Sequence, residues 1–450
     1  MTRDILVGLD LGSTSFKAVA VSLDGDELAM ASVATPWDRS ELGTTMSATA
    51  TEAAAQDVLR QCLDQISDPR VIAAGMTGMA EAGFLVDDAG AVWSDAYAWF
   101  DERGRAEREQ LSAELTSRWF SSMTGLPLSV RCSAIKIKAS AASRASMNGV
   151  RWESLPEWIA RRFGGEPRAE LSLAARTGLM NIHTHDWEPD LLSWSGVDAD
   201  RMAQPQRAGA TWGIGRSGSL LDGAVLTVAG QDHVCAAIGT RAQGDSDVLD
   251  SIGTGEAVLC ASEPLDASTT LRAVGAGLTV GVHVVPDRHL VMAGLGTGGR
   301  LSTVLTLLGV MTREQLEQLN SSADFSGGTR ETAEWAAEIV HDGAATSRVP
   351  ENIEEPVAAW QSAVAAAGVR LDDAIDRLER FSGEHDRVVS TGGWYRSIPF
   401  RRLRTASVRR RLNISSVTEA TGVGAALIAG VAADVYPHAL SVPEPAVEKL

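Results

Sequence analysis

Cysteine, positive charge and long apolar runs are all scarce in this sequence of 450 residues. Its four cysteines lie far apart and form no C-x-x-C pair, so neither a zinc ribbon nor a disulfide framework is expected, and reduced thiols fit the cytoplasm. Because 58 acidic residues outnumber 40 basic ones and the net charge is −18, a general nucleic-acid binder is not expected. The longest apolar helix-like run, Val423–Ala433, is too short to cross a bilayer, and no long apolar signal region precedes the first strand. We therefore expect a cytoplasmic protein without nucleic-acid or membrane partners.

The opening stretch, Asp4–Thr35, predicts three strands joined by tight turns. The strands are Ile5–Leu9, Phe16–Leu23 and Glu27–Val33. A helix over Thr51–Ile66 and a short buried strand at Val71–Met76 are predicted next. This strand–helix–strand order predicts a mixed α/β sheet.

The turn between the first two strands has the chemistry of a phosphate cradle. Gly12 lets the backbone approach an anion, Ser13 and Thr14 offer N–H and hydroxyl donors, and Lys17 can supply a positive charge. Asp10 ends a buried strand, where a carboxylate needs a cation or donors, and a hydrated magnesium ion on a nucleotide would satisfy it. The alternative is an ordinary β-hairpin with a polar turn.

A second copy of this hairpin favours the phosphate interpretation. Asp247–Ser262 again predicts strand, turn and strand, with Gly253, Thr254 and Gly255 in the turn. At a prior of about 150 residues per domain the length suggests two or three domains, and we expect a boundary between about Val228 and Asp247. Two such hairpins, one at the start of each half, indicate an internal duplication.

The second half continues with glycine-rich turns and helices. One turn contains Gly298 and Gly299, and a later turn contains Gly392 and Gly393. Glu351–Phe381 is predicted to be mostly helical but broken at Gly368, and the final helix is placed at Thr418–Val435. The prolines after this helix predict a weakly ordered tail.

The segment Asn181–Trp187 superficially suggests a metal site. His183 and His185 would share one face of a strand, but no third ligand lies at a recognisable spacing. We favour a surface turn.

The order of these motifs resembles the FGGY family of carbohydrate kinases, within the actin-like, sugar-kinase and heat-shock-chaperone ATPase superfamily. The motifs that match are Asp10–Lys17, Trp99–Arg103, Arg176–Gly178, Ala229–Ile238, Ser251–Gly255 and Glu419–Gly430. The resemblance implies an α/β fold with two ribonuclease-H-like (actin-like ATPase) domains around a deep cleft. It places an N-terminal domain, for the sugar and the first phosphate hairpin, at 1–240, a C-terminal nucleotide-binding domain at 241–438 and a tail at 439–450.

Transferred residue by residue, the resemblance makes Asp232 the general base, since a carboxylate must orient a sugar hydroxyl and accept its proton. From the local sequence alone, a helix cap is the alternative role for Asp232. The resemblance implies ATP and Mg²⁺ as cofactors, with Asp10 and Asp232 near the metal. The nucleotide-binding residues it implies are Asp10, Gly12, Ser13, Thr14, Lys17, Gly253, Thr254, Gly255, Gly298, Gly299, Gly392 and Gly393.

The acceptor site departs from the pattern of the family. The position of the glycerol-kinase arginine is Ala80, and the position of a xylulokinase-like histidine is Glu81. The substrate-binding residues we expect are Met79, Glu81, Trp99, Asp101 and Asp232. Trp93, Trp99 and Trp212 could offer faces for stacking, and core packing is the alternative for each.

Loss of the long arginine side chain with retention of an acceptor predicts a neutral sugar or alditol of about four to six carbons, rather than glycerol or a sugar acid. The competing interpretation is that Glu81 faces an internal partner and Ala80 is packing. The favoured function is therefore ATP-dependent phosphorylation of a sugar or polyol hydroxyl. The alternative is a catalytically weak nucleotide- or sugar-binding sensor or scaffold, and homodimer formation is left open.

Overall fold

The computed structural model describes residues 2–41, 43–141, 149–323, 333–343 and 354–443. The described chain divides into two compact units. The first unit comprises residues 2–241, 262–290 and 419–443, and the second comprises residues 242–261 and 291–418. Within these ranges, every helix is either too short or too polar to span a membrane.

The first unit and second unit both mix strands and helices. The strands are β1 (Arg3–Leu11), β2 (Ser15–Ser22), β3 (Glu27–Ala34), β4 (Asp38–Ser40), β5 (Gly43–Met46), β6 (Pro69–Gly78), β7 (Gly83–Asp87), β8 (Val92–Ser94), β9 (Ala96–Tyr97), β10 (Val150–Ser154), β11 (Ala169–Glu170), β12 (Met180–Asn181), β13 (Asp186–Trp187), β14 (Pro205–Gln206), β15 (Gly213–Ile214), β16 (Val225–Gln231), β17 (Asp247–Ile252), β18 (Glu256–Ser262), β19 (Thr279–Val282), β20 (His289–Leu295), β21 (Arg387–Thr391) and β22 (Leu412–Ile414). The α-helices are α1 (Ala48–Leu63), α2 (Arg105–Leu115), α3 (Ser117–Thr124), α4 (Ser133–Ala141), α5 (Leu155–Phe163), α6 (Leu171–Ala174), α7 (Pro189–Ser195), α8 (Asp232–Gly239), α9 (Ala267–Gly275), α10 (Thr297–Leu307), α11 (Arg313–Ser322), α12 (Glu334–Asp342), α13 (Pro356–Ser382), α14 (Ile398–Ser407) and α15 (Ala420–Ala432).

The sheet of the first unit has the order β15-β16-β6-β1-β2-β3. β1 pairs antiparallel with β2 and parallel with β6, which confirms the opening hairpin and the mixed sheet. Alternate residues of β1 point to opposite faces, and Ile5, Val7 and Leu9 join the core that also contains residues of α1 and α5. The carboxyl ends of β1, β6 and β16 therefore carry Asp10, Gly78 and Gln231 at one edge of the sheet.

Helix α15 packs on the other face of this sheet through glycines. A Cβ atom added to Gly8 would lie 1.8 Å from the carbonyl oxygen of Gly422, and one added to Gly75 would lie 2.2 Å from that of Ala425. The backbones of sheet and helix are therefore in direct contact. This contact explains the apolar, glycine-rich and alanine-rich composition of the last helix.

The second unit repeats this arrangement. Neighbouring strands follow the order β20-β18-β17-β21-β22. β17 pairs antiparallel with β18 and parallel with β21, as β1 does with β2 and β6. The predicted internal duplication is confirmed at the level of strand order.

Three expectations about the second half need correction. Helix α13 continues through Gly368, because the glycine allows a close approach: an added Cβ would lie 2.1 Å from the carbonyl oxygen of Ser407. Residues 262–290 and 419–443, expected in the C-terminal domain or the tail, belong to the first unit. The described part of the tail is packed, with Ala439 and Val442 buried and Arg241 donating to the Leu440 carbonyl. Residues 444–450 of the tail and 351–353 of the predicted helix lie outside the described residues.

Candidate active site

Asp10 lies at the carboxyl end of β1 with a buried, unsatisfied oxygen. The residue is 7% exposed, and its Oδ1 has no hydrogen-bond partner among the described residues. Burial raises the pKa of Asp10 to about 7, while the charge of Lys17 lowers it and the charges of Asp232 and Glu419 raise it. A buried carboxylate oxygen without a donor is suited to a cation.

Lys17 is not a free point charge in this turn. Its Nζ donates to Glu419 Oε2 at 2.7 Å, and Glu419 precedes α15. The lysine side chain is 30% exposed, so it remains accessible while its charge is shared with Glu419.

The backbone of the first turn is oriented by the segment that follows β3. Thr35 Oγ1 donates to the Gly12 carbonyl at 2.7 Å, Trp37 Nε1 donates to the Ser13 carbonyl at 2.7 Å, and the Thr35 N–H donates to the Thr14 carbonyl at 3.2 Å. In a trans peptide the C=O and the following N–H point in opposite directions. The N–H groups of Ser13 and Thr14 therefore point away from this segment, as a phosphate cradle requires.

Asp232 begins α8 immediately after β16. The N-cap residue is Gln231, so Asp232 is the first helical residue rather than the cap, and its Oδ1 accepts the N–H of His233 at 2.8 Å. Its side chain is 28% exposed. The carboxylate is thus fixed by one bond and still accessible to a ligand.

An ion pair that the sequence did not reveal lies in the same unit. Arg176 donates through Nε and Nη2 to Glu81 Oε1 at 3.0 and 2.5 Å, and both side chains are 15% exposed. Burial lowers the pKa of Arg176, but the charges of Glu81 and Asp232 raise it above its ordinary value. Arg176 therefore supplies a guanidinium beside Glu81 although Ala80 cannot. The motif Arg176–Gly178 was recognisable, yet the partner of the arginine was not.

Met79, Trp212 and Asp101 are already engaged inside the protein, the first two by packing and Asp101 by hydrogen bonds. Met79 is buried in the core of the first unit, and Trp212 is fully buried there, so neither side chain presents a face to a ligand. Both oxygens of Asp101 accept bonds, from the Thr44 N–H and from Arg103. Burial raises the pKa of Asp101, but these bonds outweigh it and hold the pKa below its ordinary value.

Trp99 is partly buried beside Phe100. The guanidinium of Arg131 lies 5.2 Å from the centroid of the Trp99 ring, so one face of that ring is already covered. Stacking of a sugar on Trp99 would use what remains of the ring.

The second phosphate-type turn lies between β17 and β18. The Gly253 N–H donates to the Gly255 carbonyl at 2.8 Å, and a Cβ atom added to Gly253 would meet nothing within 4 Å. Trp394 Nε1 donates to the Gly253 carbonyl at 3.1 Å, and the Gly299 N–H donates to the Thr254 carbonyl at 2.7 Å. Open space thus lies beside a turn whose carbonyls bond to the protein.

Gly298, Gly392 and Gly393 of the second unit are of two kinds. Gly298 and Gly392 allow packing: added Cβ atoms would lie 1.8 Å from the Gly253 carbonyl oxygen and 2.2 Å from the Ile252 carbonyl oxygen, and Gly392 has a φ of +111°. Gly393 faces open space. Helix α10 and the turn after β21 are therefore pressed against the phosphate-type turn.

Buried polar contacts join the two strands that flank this turn to β21 and to the chain that follows it. Asp250 Oδ2 accepts from Tyr395 Oη at 2.7 Å and from Ser390 Oγ at 3.0 Å. Arg404 and Glu256, both fully buried, form an ion pair. Burial raises the pKa of Glu256 to about 7, with the positive charge of Arg404 opposing this shift.

The residues present fit a magnesium nucleotide. In the described ranges no three metal-ligating side chains cluster. Mg²⁺ on a nucleotide is held by one or two carboxylates together with phosphates and water. In the first unit Asp10 provides an unsatisfied oxygen, and in the second unit Gly253 and Gly393 border space that a side chain would fill.

His183 and His185 lie in the turn before β13, as expected. The Nε2 atom of His183 contacts the Ser122 carbonyl at 2.8 Å.

Comparison with known proteins finds curated relatives and solved structures that resemble this chain. The chain is 25% identical over 343 residues to an apulose kinase of Pectobacterium atrosepticum, covering 73% of this chain and 68% of the relative. It is 25% identical over 459 residues to a glycerol kinase of Janthinobacterium sp., covering 96% and 91%. The solved structure of Plasmodium falciparum glycerol kinase with ADP superposes with a TM-score of 0.81 at 15% identity, covering 97% of this chain and 90% of the other, which confirms the fold of two actin-like domains.

The family model described as the FGGY family of carbohydrate kinases, N-terminal domain, matches residues 5–239, more than half of the chain. This protein therefore belongs to the FGGY family of carbohydrate kinases.

Proposed function

We propose that this kinase transfers the γ-phosphoryl group of ATP to a hydroxyl of a neutral sugar or polyol, with Asp232 as the general base. The observation that supports this proposal is the accessible Asp232 carboxylate at the start of α8. Its negative charge raises the pKa of Asp10 and the pKa of Arg176. The first unit supplies the base and the acceptor-binding groups. In this proposal the second unit supplies further turns suited to a nucleotide, in addition to the first phosphate turn, which belongs to the first unit.

The chemical step needs little covalent participation from the protein. The acceptor oxygen forms a bond to the γ-phosphorus as the bond from that phosphorus to the departing ADP oxygen breaks, and the hydroxyl proton passes to Asp232. A magnesium ion bound with the nucleotide would neutralise phosphate charge, and Asp10 and Asp232 are the carboxylates that would hold it. Ser13 and Thr14 would donate to phosphate oxygens, with the Lys17 charge shared with Glu419.

In the second unit, Gly253, Thr254 and Gly255 would contact phosphates, and Gly393 would contact the adenosine. Gly253 and Gly393 border open space in the structure, which supports both assignments. Gly298, Gly299 and Gly392 would act indirectly, by shaping the turn from behind.

The acceptor is proposed to be uncharged. Both bonds from Arg176 end on Glu81 Oε1, so Oε2 can accept a substrate hydroxyl, and the guanidinium can donate to another. Asp232 and Glu81 would repel a substrate carboxylate, and the guanidinium of Arg176 and the ammonium of Lys136 both oppose this repulsion at Glu81. Burial lowers the pKa of Lys136 to about 8, which weakens its share of that opposition. Ala80 is buried in the core of the first unit beside Met79, so the proposal of an acceptor larger than glycerol rests on the absence of the long arginine side chain and not on a cavity at Ala80.

A coupled ADP-release assay over matched acceptors tests the proposal. Xylulose, xylitol and xylonate compare a neutral sugar, an alditol and an acid of equal carbon number, and glycerol, apulose, hexoses and their alditols extend the panel. We expect the highest specificity constant for a neutral compound larger than glycerol. A higher value for glycerol or for an aldonate would show that the acceptor assignment is wrong.

Asp232→Asn tests the base. The variant should retain its fold and ATP affinity while kcat falls by about 10² to 10⁴, the usual contribution of a positioned general base. Loss of ATP binding with unchanged turnover per bound enzyme would contradict the role. ATP binding without turnover of any acceptor by the unaltered protein would instead support a nucleotide-binding sensor.

A further inference from the structure

The peptide unit that joins Gly230 to Gln231, directly before Asp232, is held on both sides by buried hydroxyl groups. Thr77 Oγ1 donates to the Gly230 carbonyl at 2.7 Å, and the Gln231 N–H donates to Ser172 Oγ at 2.9 Å. Thr77 is fully buried and Ser172 is 1% exposed. Because a peptide unit is planar, fixing its C=O and its N–H fixes the orientation of the whole plane.

Buried carboxyl groups orient the Ser172 hydroxyl. Glu170 Oε2 accepts from Ser172 Oγ at 2.6 Å and from the Leu173 N–H at 2.9 Å, and Glu157 Oε1 accepts the Glu170 N–H at 2.8 Å. Because the Ser172 hydroxyl donates its hydrogen bond to Glu170, a lone pair of the Ser172 oxygen faces the Gln231 N–H. The contact to Gln231 is therefore the end of a hydrogen-bonded chain with no exposed member.

The backbone at this point has a conformation that requires glycine. Gly230 has a φ of +112°, and the pairing of β16 with β6 shifts register between Val228 and Gly230. A Cβ atom added to Gly230 would lie 2.6 Å from Val284 Cγ1 and 2.8 Å from Ser172 Oγ. Bulges of this kind redirect the chain beside active sites. Here the redirected residue is Asp232.

We propose that Thr77 and Ser172 are positioning residues that aim the Asp232 carboxylate at the acceptor hydroxyl. This inference rests on the proposed function, because it takes Asp232 as the base. A base acts only within hydrogen-bond reach of the proton that it removes, and a displacement of about 1 Å can cost about 10²-fold in rate. Neither hydroxyl needs to touch the substrate.

Thr77→Val tests the inference because it removes the hydroxyl and preserves the shape of the side chain. We expect kcat to fall about 10- to 100-fold while KM for ATP and for the acceptor stays within about threefold. Thr77→Ser retains the hydroxyl and should restore most of kcat. Thr51→Val is the matched control, since Thr51 is also fully buried and donates to a carbonyl, that of Ser47, at 2.7 Å. Ser172→Ala removes the other contact and should act in the same direction.

Combining Thr77→Val with Asp232→Asn separates positioning from general loss of structure. The acceptor is the panel compound with the highest specificity constant. If Thr77 acts through Asp232, its substitution should cost almost nothing further in the Asp232→Asn background. An equal loss in both backgrounds, or an equal loss in Thr51→Val, would overturn the inference. If Asp232→Asn itself left kcat unchanged, or no acceptor were turned over, the proposed function would fail and this inference with it.

Discussion

The buried ion pair between Arg404 and Glu256 predicts an unusually large effect of a single substitution. Both side chains are fully buried in the second unit, beside the turn that contains Gly253. Arg404→Met keeps much of the side-chain volume but leaves Glu256 without its cation. Removing one partner of a buried pair typically costs about 3 to 5 kcal/mol, so we expect the second unit to lose that much stability.

The loss should depend on pH. Burial raises the pKa of Glu256 to about 7 even with Arg404 present, and removal of the guanidinium would raise it further. A carboxyl whose pKa is higher in the folded state binds its proton more tightly there. The free energy of unfolding therefore falls as the pH rises above the ordinary glutamate pKa of 4.5. It stops falling above the folded pKa, which is about 7 in the native protein and higher in Arg404→Met. Below about pH 7 the native protein loses stability at the same slope, so the extra cost of Arg404→Met should grow only above about pH 7, where the native Glu256 is ionised and the variant's is not. Arg404→Met should therefore be more destabilising at about pH 8 than at about pH 5.5, by up to about 1.4 kcal/mol for each pH unit above 7.

Replacing both partners should recover much of the loss. Arg404 Nε and Nη1 have no hydrogen-bond partner within the described ranges, so the native pair is itself incompletely satisfied. Arg404→Met combined with Glu256→Leu should be less destabilising than Arg404→Met alone. In the same unit, Arg409 is 66% exposed, and Arg409→Met should cost no more than about 1 kcal/mol.

Native-state hydrogen exchange of β17 and α14 amides gives the opening free energies of this unit, independently of the rest of the chain. An Arg404→Met cost that matches Arg409→Met, or that is the same at both pH values, would refute the account of an uncompensated buried carboxylate.

Two further predictions concern glycine and pH. Gly253→Ala should leave the unfolding midpoint unchanged and raise KM for ATP, because its methyl group enters open space. Gly368→Ala should lower the midpoint, because its methyl group meets the Ser407 carbonyl. Denaturation curves and ATP kinetics of both variants test this contrast. Burial raises the pKa of Glu157 to about 8, so the protein should lose stability between about pH 5 and pH 8, and Glu157→Gln should flatten that slope in unfolding measured across the range; an unchanged slope would contradict it.

Much of the framework was predictable because it depends on residues that are neighbours in sequence. Alternating apolar residues and glycine turns define both hairpins, and apolar periodicity defines α1 and α8. The repetition of one hairpin in each half was sufficient to indicate the duplication. Asp232 could be placed at a strand-to-helix junction for the same reason.

The tertiary structure alone decided which side chains are available. Glu81 and Arg176 are 95 residues apart, Thr77 and Gly230 are 153 apart, and Lys17 meets Glu419 across 402 residues. Burial depends on such distant partners, and so do the charge of Asp10, the packing of Met79 and the return of residues 419–443 to the first unit. A pattern local to the sequence records the type of a residue and the period of its neighbours. It does not record which distant backbone or charge will occupy the space beside it.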